Sequence, residues 1–142
     1  SDRIHSIRYL KALYPAAKGL FSHFHRIRLQ SGSIFERIGI QINDTPYVLS
    51  SHHQSVERIG NGLKVIATSL DGKVVEALAH QRYRNVLGVQ FHPEVYKLFQ
   101  KRRYYKTSPY GKADFNPATF LETHHRSMAF HLKIWDWFGK AL

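Results

Sequence analysis

The spacing of apolar residues in the first third of the chain changes between helical and extended patterns. Apolar residues recur three positions apart over residues 4–14, which predicts a helix that ends before Pro15. Residues 24–29 alternate between polar and apolar side chains and predict a short strand. Residues 33–38 predict a short helix after that strand.

Four further apolar runs predict strands in the middle of the chain. Residues 47–49 and 86–91 are brief apolar runs typical of buried strands. Residues 63–70 and 74–79 are separated by Asp71-Gly72, which predicts a hairpin with both turn residues at positive φ. Strands with helices at both ends of the chain favour an α/β layered fold. The hairpin implies a mixed sheet rather than a purely parallel one.

The C-terminal region carries the signals of one helix over about residues 117–138. Asn116 is a capping residue type, Pro117 suits the first helical position, and Gly139 is placed to end the helix. The large apolar side chains of this segment recur at helical spacing and predict one apolar face. They are Leu121, Met128, Leu132, Trp135 and Phe138.

The composition is that of a globular protein with a large positive charge. Hydrophobic residues make up 43% of the 142 residues, which excludes a disordered chain because there is ample apolar surface to bury. The 21 Lys and Arg against 10 Asp and Glu give a net charge of +11. No repeat or linker divides the chain, so we expect residues 1–142 to belong to one domain. Without a membrane-spanning run or a secretory pattern after Ser1, we expect a soluble cytoplasmic protein.

The densest positive charge lies in residues 96–112. This segment has six basic side chains and no acidic one, interleaved with aromatic residues. Basic and aromatic groups together are able to bind phosphates and stack on bases. A solvated surface loop is the simpler interpretation, because charge runs usually face water.

Ten histidines raise the question of a metal site. A zinc site needs three or four converging ligands, which on a helix usually lie four residues apart. His124 has no such partner, because position 128 is Met. We expect His124, His125 and His131 to be surface or half-buried side chains of an amphipathic helix. We therefore expect no metal.

A more specific chemical signal is the strand end Val89-Gln90-Phe91-His92-Pro93-Glu94. His92 and Glu94 are two residues apart and would point to the same side of an extended backbone. Glu94 would then accept a hydrogen bond from one ring nitrogen of His92 and direct the other toward a nucleophile. This is the base and its orienting group found in covalent acyl transfer.

The stretch from Val48 to Glu94 resembles the C-terminal half of class I glutamine amidotransferases, and most closely their gamma-glutamyl hydrolase branch. Three blocks carry this resemblance in the same order and spacing. They are Ser50-Ser51-His52-His53-Gln54, then Ala67-Thr68-Ser69-Leu70-Asp71-Gly72 with Val75-Glu76-Ala77, and Leu87-Gly88-Val89-Gln90-Phe91-His92-Pro93-Glu94. Leu49 departs from the pattern, since that branch usually has Asn there.

The resemblance implies the C-terminal portion of a flavodoxin-like α/β fold, with a mixed sheet flanked by helices and residues 96–112 inserted before the final helix. It also implies a catalytic cysteine that attacks a gamma-glutamyl amide or isopeptide carbonyl. By position, His92 would be the base, Glu94 its orienting carboxylate, and His53 a residue that contacts the substrate. His52 and Gln54 are expected to tie down the loop that follows the strand.

The chain contains no cysteine, so it cannot supply that nucleophile. The resemblance places the nucleophile in an N-terminal half that precedes this segment, which makes that half the expected partner. The chain alone is therefore expected to be inactive, and no cofactor is implied. We expect a small gamma-glutamyl substrate and neither a membrane nor a nucleic-acid partner.

Two alternatives remain open on the sequence alone. One is a non-catalytic binding module that keeps the scaffold and uses residues 96–112 to bind nucleic acid or an acidic partner. The other is a regulatory or structural subunit of a larger synthetase.

Overall fold

The computed structural model describes residues 23–52, 54–106 and 111–142. Within these residues five strands form one sheet in the order β2-β1-β3-β4-β5. All four neighbouring pairs are antiparallel, so the described sheet holds no parallel pair of the predicted mixed sheet. The strands are β1 (His23–Leu29), β2 (Tyr47–Ser50), β3 (Leu63–Ser69), β4 (Val75–His80) and β5 (Leu87–Val89). The strands predicted between residues 24 and 91 are confirmed, and β5 is shorter than predicted. The helix predicted over residues 4–14 lies outside the described residues.

The sheet curls so that its two ends approach each other. The first half of β1 pairs with β2 and its second half pairs with β3, so β1 joins the two parts of the sheet. Beyond β5, the amide of Gln90 donates to the carbonyl of Glu76 at 2.8 Å, which continues the pairing with β4. Two residues later the amide of His92 donates to the carbonyl of Leu49 on β2 at 2.9 Å. The ends of β2 and β5 are thereby brought together.

The hairpin predicted between β3 and β4 is present, but its turn differs from the prediction. Gly72 has a φ of 75°, whereas Asp71 is absent from the positive-φ residues of the described chain. Ser69 accepts a hydrogen bond from the Gly72 amide and donates its own amide to Val74, both at 2.9 Å, so four residues form the loop. The Asp71 carboxylate accepts from the Ser69 hydroxyl and from the Lys73 amide. These side-chain bonds stabilise Asp71 at negative φ, and only glycine takes the left-handed position.

The described helices are α1 (Ile34–Arg37), α2 (Pro117–Thr123) and α3 (Ser127–Ala141), with 3-10 turns at Ile42–Asp44 and Tyr96–Phe99. Asn116 caps α2 as predicted, because its side chain accepts a hydrogen bond from the Thr119 amide at 2.8 Å.

The single helix predicted over 117–138 is instead two helices. His125 and Arg126 adopt φ values of 50° and 52°. The Thr123 hydroxyl bonds to the Thr119 carbonyl and the Ser127 hydroxyl bonds to the His124 carbonyl, so these side chains compete for the acceptors of a continuous helix. Ser127 Oγ also accepts from the Tyr47 amide at 2.8 Å, which fixes the start of α3 against β2.

This break changes which face of α3 is buried. The buried side chains are Ser127, Phe130, His131 and Ile134. Leu132, Trp135 and Phe138, predicted on one face with Leu121, are 52%, 39% and 46% exposed. The break changes the rotation of α3 about its own axis relative to α2. The apolar face predicted from the spacing that starts at Leu121 therefore does not continue along α3. The helix also continues through Gly139, where it was predicted to end.

Helices cover both faces of the sheet, which confirms the α/β class. Alternate residues of the strands contribute to two hydrophobic clusters. One cluster joins the sheet to α1 and α3 and includes Ile27, Val48, Phe35 and Phe130. The other joins Leu49 to α2 and to the 3-10 turn at Tyr96–Phe99 through Leu98 and Leu121.

The basic segment 96–112 is anchored to this second layer. Leu98 is fully buried, and Tyr105 is buried and forms an isolated bridge with Phe115. Tyr96 and Tyr104 remain more than half exposed. The segment is therefore partly core rather than wholly a solvated loop.

None of the helices in the described residues combines the length and the apolar character that crossing a membrane requires.

Candidate functional site

The candidate site lies where β5 ends. The ring Nδ1 of His92 and Oε1 of Glu94 are 2.8 Å apart, so the hydrogen bond expected from their spacing is confirmed. The side chains are 40% and 56% exposed. The pair therefore lies at the surface, where a substrate or a second protein segment is able to reach it.

The backbone on both sides of the His92 ring is fixed by hydrogen bonds. The His92 amide donates to the Leu49 carbonyl of β2 at 2.9 Å. The indole Nε1 of Trp135 on α3 donates to the Pro93 carbonyl at 3.0 Å. β5 has already ended at Val89, and the chain turns at Pro93 and Glu94, where proline has no amide for sheet pairing. The two side chains are exposed, but these hydrogen bonds hold the backbone that carries them.

The electrostatics of the pair favour a charged Glu94. Partial burial acts to raise the pKa of Glu94, but the hydrogen bond from His92, its own backbone amide and the attraction of the imidazolium outweigh burial. The net effect is a pKa of Glu94 below its usual value. Because an ionised carboxylate only accepts hydrogen bonds, Nδ1 of His92 carries the proton of this bond. In the neutral ring Nε2 is then the basic nitrogen, which is the arrangement that general-base catalysis needs.

The loop after β2 approaches the same strand end. Nδ1 of His52 lies 2.8 Å from the carbonyl oxygen of Gln54 and ties down the loop, as expected. The side-chain amide of Gln90 donates to the same oxygen at 2.6 Å. His53, the predicted substrate-contacting residue, lies outside the described residues. Its predicted role is therefore not tested by the geometry.

Gln90 was missed as a candidate by reasoning from the sequence. The signal for it was only its place two residues before His92, because the strand predicted over 86–91 ends at Val89 and the chain bends at Gln90 and Phe91. What the sequence does not give is the position of Gln54, which comes close only because the sheet curls.

An apolar groove of about 240 Å³ begins at Glu94 and runs between β5 and α3. Its other lining residues are Leu87, Val89, Pro93, Ile134, Trp135, Trp137 and Phe138. Trp135 and Phe138 are the two of these that are exposed large hydrophobic residues. The groove therefore places an apolar docking surface beside the carboxylate of the pair.

Two buried histidines were also missed. His25 Nε2 lies 2.8 Å from Glu76 Oε1, and their side chains are 8% and 0% exposed. His131 is fully buried against Phe91 and Phe130, and Nδ1 lies 2.7 Å from the Ser127 carbonyl oxygen. Burial lowers the pKa of His131 to about 4, and the hydrogen bond to Ser127 only partly opposes it. Alternation along β1 places His25 on the face of Ile27 and Leu29 but does not predict its partner Glu76. For His131 the expected surface or half-buried position is wrong, because the break before α3 changes which helix face is buried.

Metal binding has no candidate ligand set in the parts of the chain that the structure describes. No group of three or more His, Asp or Glu side chains there is placed to share an ion.

A curled sheet between helices, with a strand that ends in a hydrogen-bonded histidine and glutamate, defines the class of glutamine amidotransferase-like α/β proteins. The family model for Peptidase C26 matches residues 3–94, which is more than half of the chain. The chain belongs to the Peptidase C26 family.

Comparison with individual proteins agrees with this class. The chain is 36% identical over 80 residues to a glutamine amidotransferase-like protein of Rickettsia prowazekii, covering 56% of this chain and 27% of that protein. It is 41% identical over 56 residues to the glutamine-hydrolyzing GMP synthase of Ehrlichia chaffeensis, covering 39% of this chain and 10% of that enzyme. The GMP synthase of Dictyostelium discoideum is 44% identical over 54 residues, covering 38% of this chain and 7% of that enzyme. The chain thus spans about a quarter or less of the length of these relatives.

Proposed function

We propose that this chain forms the acid–base half of a cysteine-dependent hydrolase that cleaves a gamma-glutamyl amide or isopeptide bond. The observation that carries the proposal is the 2.8 Å hydrogen bond between His92 and Glu94 at the exposed end of β5. The family membership and the glutamine-hydrolyzing relatives support the same class of reaction.

In the first half of the reaction, His92 Nε2 accepts the proton of a cysteine thiol supplied from outside this chain. The thiolate attacks the gamma-glutamyl carbonyl carbon and forms a tetrahedral intermediate. The imidazolium then gives the proton to the leaving nitrogen, the carbon–nitrogen bond breaks, and an amine or ammonia departs. A thioester remains on the cysteine.

In the second half, a water molecule gives a proton to His92 as its oxygen attacks the thioester carbonyl. Return of that proton to sulfur releases the gamma-glutamyl acid and restores the thiol. Glu94 stays ionised throughout, fixes the ring through Nδ1 and stabilises the imidazolium. His53 is assigned to substrate contact by its place in the resemblance.

The cysteine-bearing half is the protein partner that this mechanism requires. Two features support its docking beside β5. The outer edge of β5 lies at one end of the described sheet order. The apolar groove that begins at Glu94 adjoins this edge. A segment that covers the groove would both bury Trp135 and Phe138 and arrive next to the His92–Glu94 pair.

The first prediction compares this chain alone with a polypeptide that joins it to the cysteine-bearing half. The joined protein should release ammonia from glutamine or p-nitroaniline from gamma-glutamyl-p-nitroanilide, while the 142-residue chain should show no turnover. Losing the nucleophile of such a unit costs several powers of ten in rate. Replacing the cysteine by alanine is the matched control and should abolish activity in the joined protein. Turnover by the 142-residue chain would contradict the mechanism.

A further inference from the structure

We infer that Gln90 is a positioning residue, which holds the loop after β2, described at residues 51–52 and 54–56, at a fixed distance from the His92–Glu94 pair. The inference rests on the proposed function, because it concerns where the substrate-contacting loop lies relative to the catalytic base. In this role Gln90 does not contact the reacting atoms.

The backbone of Gln90 is well placed for this task. Its amide is bound to the Glu76 carbonyl of β4 at 2.8 Å, and two residues later the His92 amide is bound to the Leu49 carbonyl of β2 at 2.9 Å. Although β5 ends at Val89 and the chain bends at Gln90 and Phe91, both residues 90 and 92 are thus held to the same sheet by backbone hydrogen bonds. The group that the Gln90 side chain binds is therefore held near His92.

The side chain of Gln90 reaches the loop through one shared acceptor. Its Nε2 donates to the carbonyl oxygen of Gln54 at 2.6 Å, and Nδ1 of His52 lies 2.8 Å from the same oxygen. A carbonyl oxygen has two lone pairs, so these two donors fill its capacity. Because this oxygen only accepts, Nδ1 of His52 carries a proton and Nε2 of the neutral ring is an acceptor. One oxygen thus links Gln90 to the orientation of the His52 ring.

This link is the hydrogen bond that joins the loop to the strand end. Two side-chain hydrogen bonds between described residues hold this part of the chain, and both meet at the Gln54 carbonyl. Nε2 of His52 is buried and has no hydrogen-bond partner in the described chain. Val56 lines a small cavity with Gln90, and the Gln90 amide is the donor that reaches the loop from the strand end. Removing the Gln90 amide should therefore let the loop move away from His92.

The kinetic test uses the joined protein with gamma-glutamyl-p-nitroanilide and two variants, Gln90→Ala and Gln90→Met. Methionine keeps the length of glutamine but has no N–H donor. Both should raise KM about three- to tenfold, the effect of losing about one hydrogen bond. The value of kcat and its pH profile should stay unchanged, because the His92–Glu94 bond remains. Gln41→Ala is the matched control, since Gln41 is exposed and makes no side-chain cap bond.

A second measurement tests the tether without activity. Trypsin should cut after Arg58, just beyond the loop, several-fold faster in both Gln90 variants than in wild-type protein or Gln41→Ala. Equal cleavage rates would overturn the inference, as would an unchanged KM. A fall in kcat with a shifted pH profile would also overturn it, because Gln90 would then act on the catalytic pair. If the unmodified joined protein is inactive, the proposed function fails and cleavage after Arg58 alone decides the inference.

Discussion

The described residues include two histidine–glutamate pairs with the same separation and very different surroundings. His25 and Glu76 lie 2.8 Å apart with side chains 8% and 0% exposed. His92 and Glu94 lie 2.8 Å apart with side chains 40% and 56% exposed. The first pair connects β1 with β4 across the curl of the sheet, and the second stands beyond the end of β5.

The contrast shows that the distance between two groups does not define a site. A buried ionisable pair has lost its hydration, so removing one partner leaves the other in an apolar interior at a large cost in stability. An exposed pair is largely screened by water and contributes little to stability. The burial of His25–Glu76 fits a structural role, and the exposure of His92–Glu94 supports the chemical role that we propose for it.

The largest expected effect is on catalysis at the exposed pair. His92→Gln in the joined protein should lower kcat for gamma-glutamyl-p-nitroanilide by about 10²- to 10⁴-fold, because the general base is lost. The midpoint of thermal unfolding should stay close to that of the unmodified protein. Glu94→Gln should give a smaller loss of kcat, since the ring keeps its nitrogen but loses its orienting charge. If His92→Gln leaves kcat unchanged, the exposed pair has no catalytic role that distinguishes it from the buried pair.

The second effect is on stability at the buried pair. Glu76→Ala should lower the free energy of unfolding by about 3–5 kcal/mol, measured by urea denaturation, because His25 is left in the interior without this carboxylate. Glu57→Ala, at an exposed glutamate, is the matched control and should change stability by less than about 0.5 kcal/mol. If Glu76→Ala is as stable as the control, burial does not distinguish the two pairs.

The sequence could predict contacts between residues that are close together along the chain. The spacing of His92 and Glu94 was enough to expect their hydrogen bond, because the residues are only two positions apart, although the backbone there turns and is not extended as predicted. The Asn116 cap and the hairpin around Asp71 were predictable for the same reason. His25 and Glu76 are 51 positions apart, and only the curl of the sheet brings them together.

The break between α2 and α3 marks another limit of local reasoning. The spacing of Leu121, Leu132 and Trp135 fits one continuous helix. The break depends on the side chains of Thr123 and Ser127 capturing helical carbonyls and on Ser127 binding the Tyr47 amide of β2. A tertiary contact thus decides which helix face is buried. His53 remains a prediction, because it lies outside the described residues.

The third histidine extends the comparison to a ring buried without a carboxylate. His131 is fully buried, and burial lowers its pKa to about 4. In the unfolded chain a histidine takes up a proton below about pH 6.5, whereas the folded ring stays neutral until about pH 4. Stability should therefore fall as the pH drops from about 6.5 to about 4, by up to about 3 kcal/mol, and this contribution should fall no further below pH 4.

The measurement is urea denaturation of the unmodified protein and of His131→Phe at several pH values between 7 and 4. Phenylalanine keeps a buried ring but cannot be protonated, so the variant should lose less stability over this range. His125→Gln is the control, because His125 is exposed and its replacement should leave the slope unchanged. The difference between the slopes of the unmodified protein and His131→Phe isolates the cost of charging a buried ring that has no acidic partner among the described residues. Parallel slopes would mean that His131 takes up protons in the folded state as readily as in the unfolded chain, and burial alone would then not separate structural from catalytic histidines.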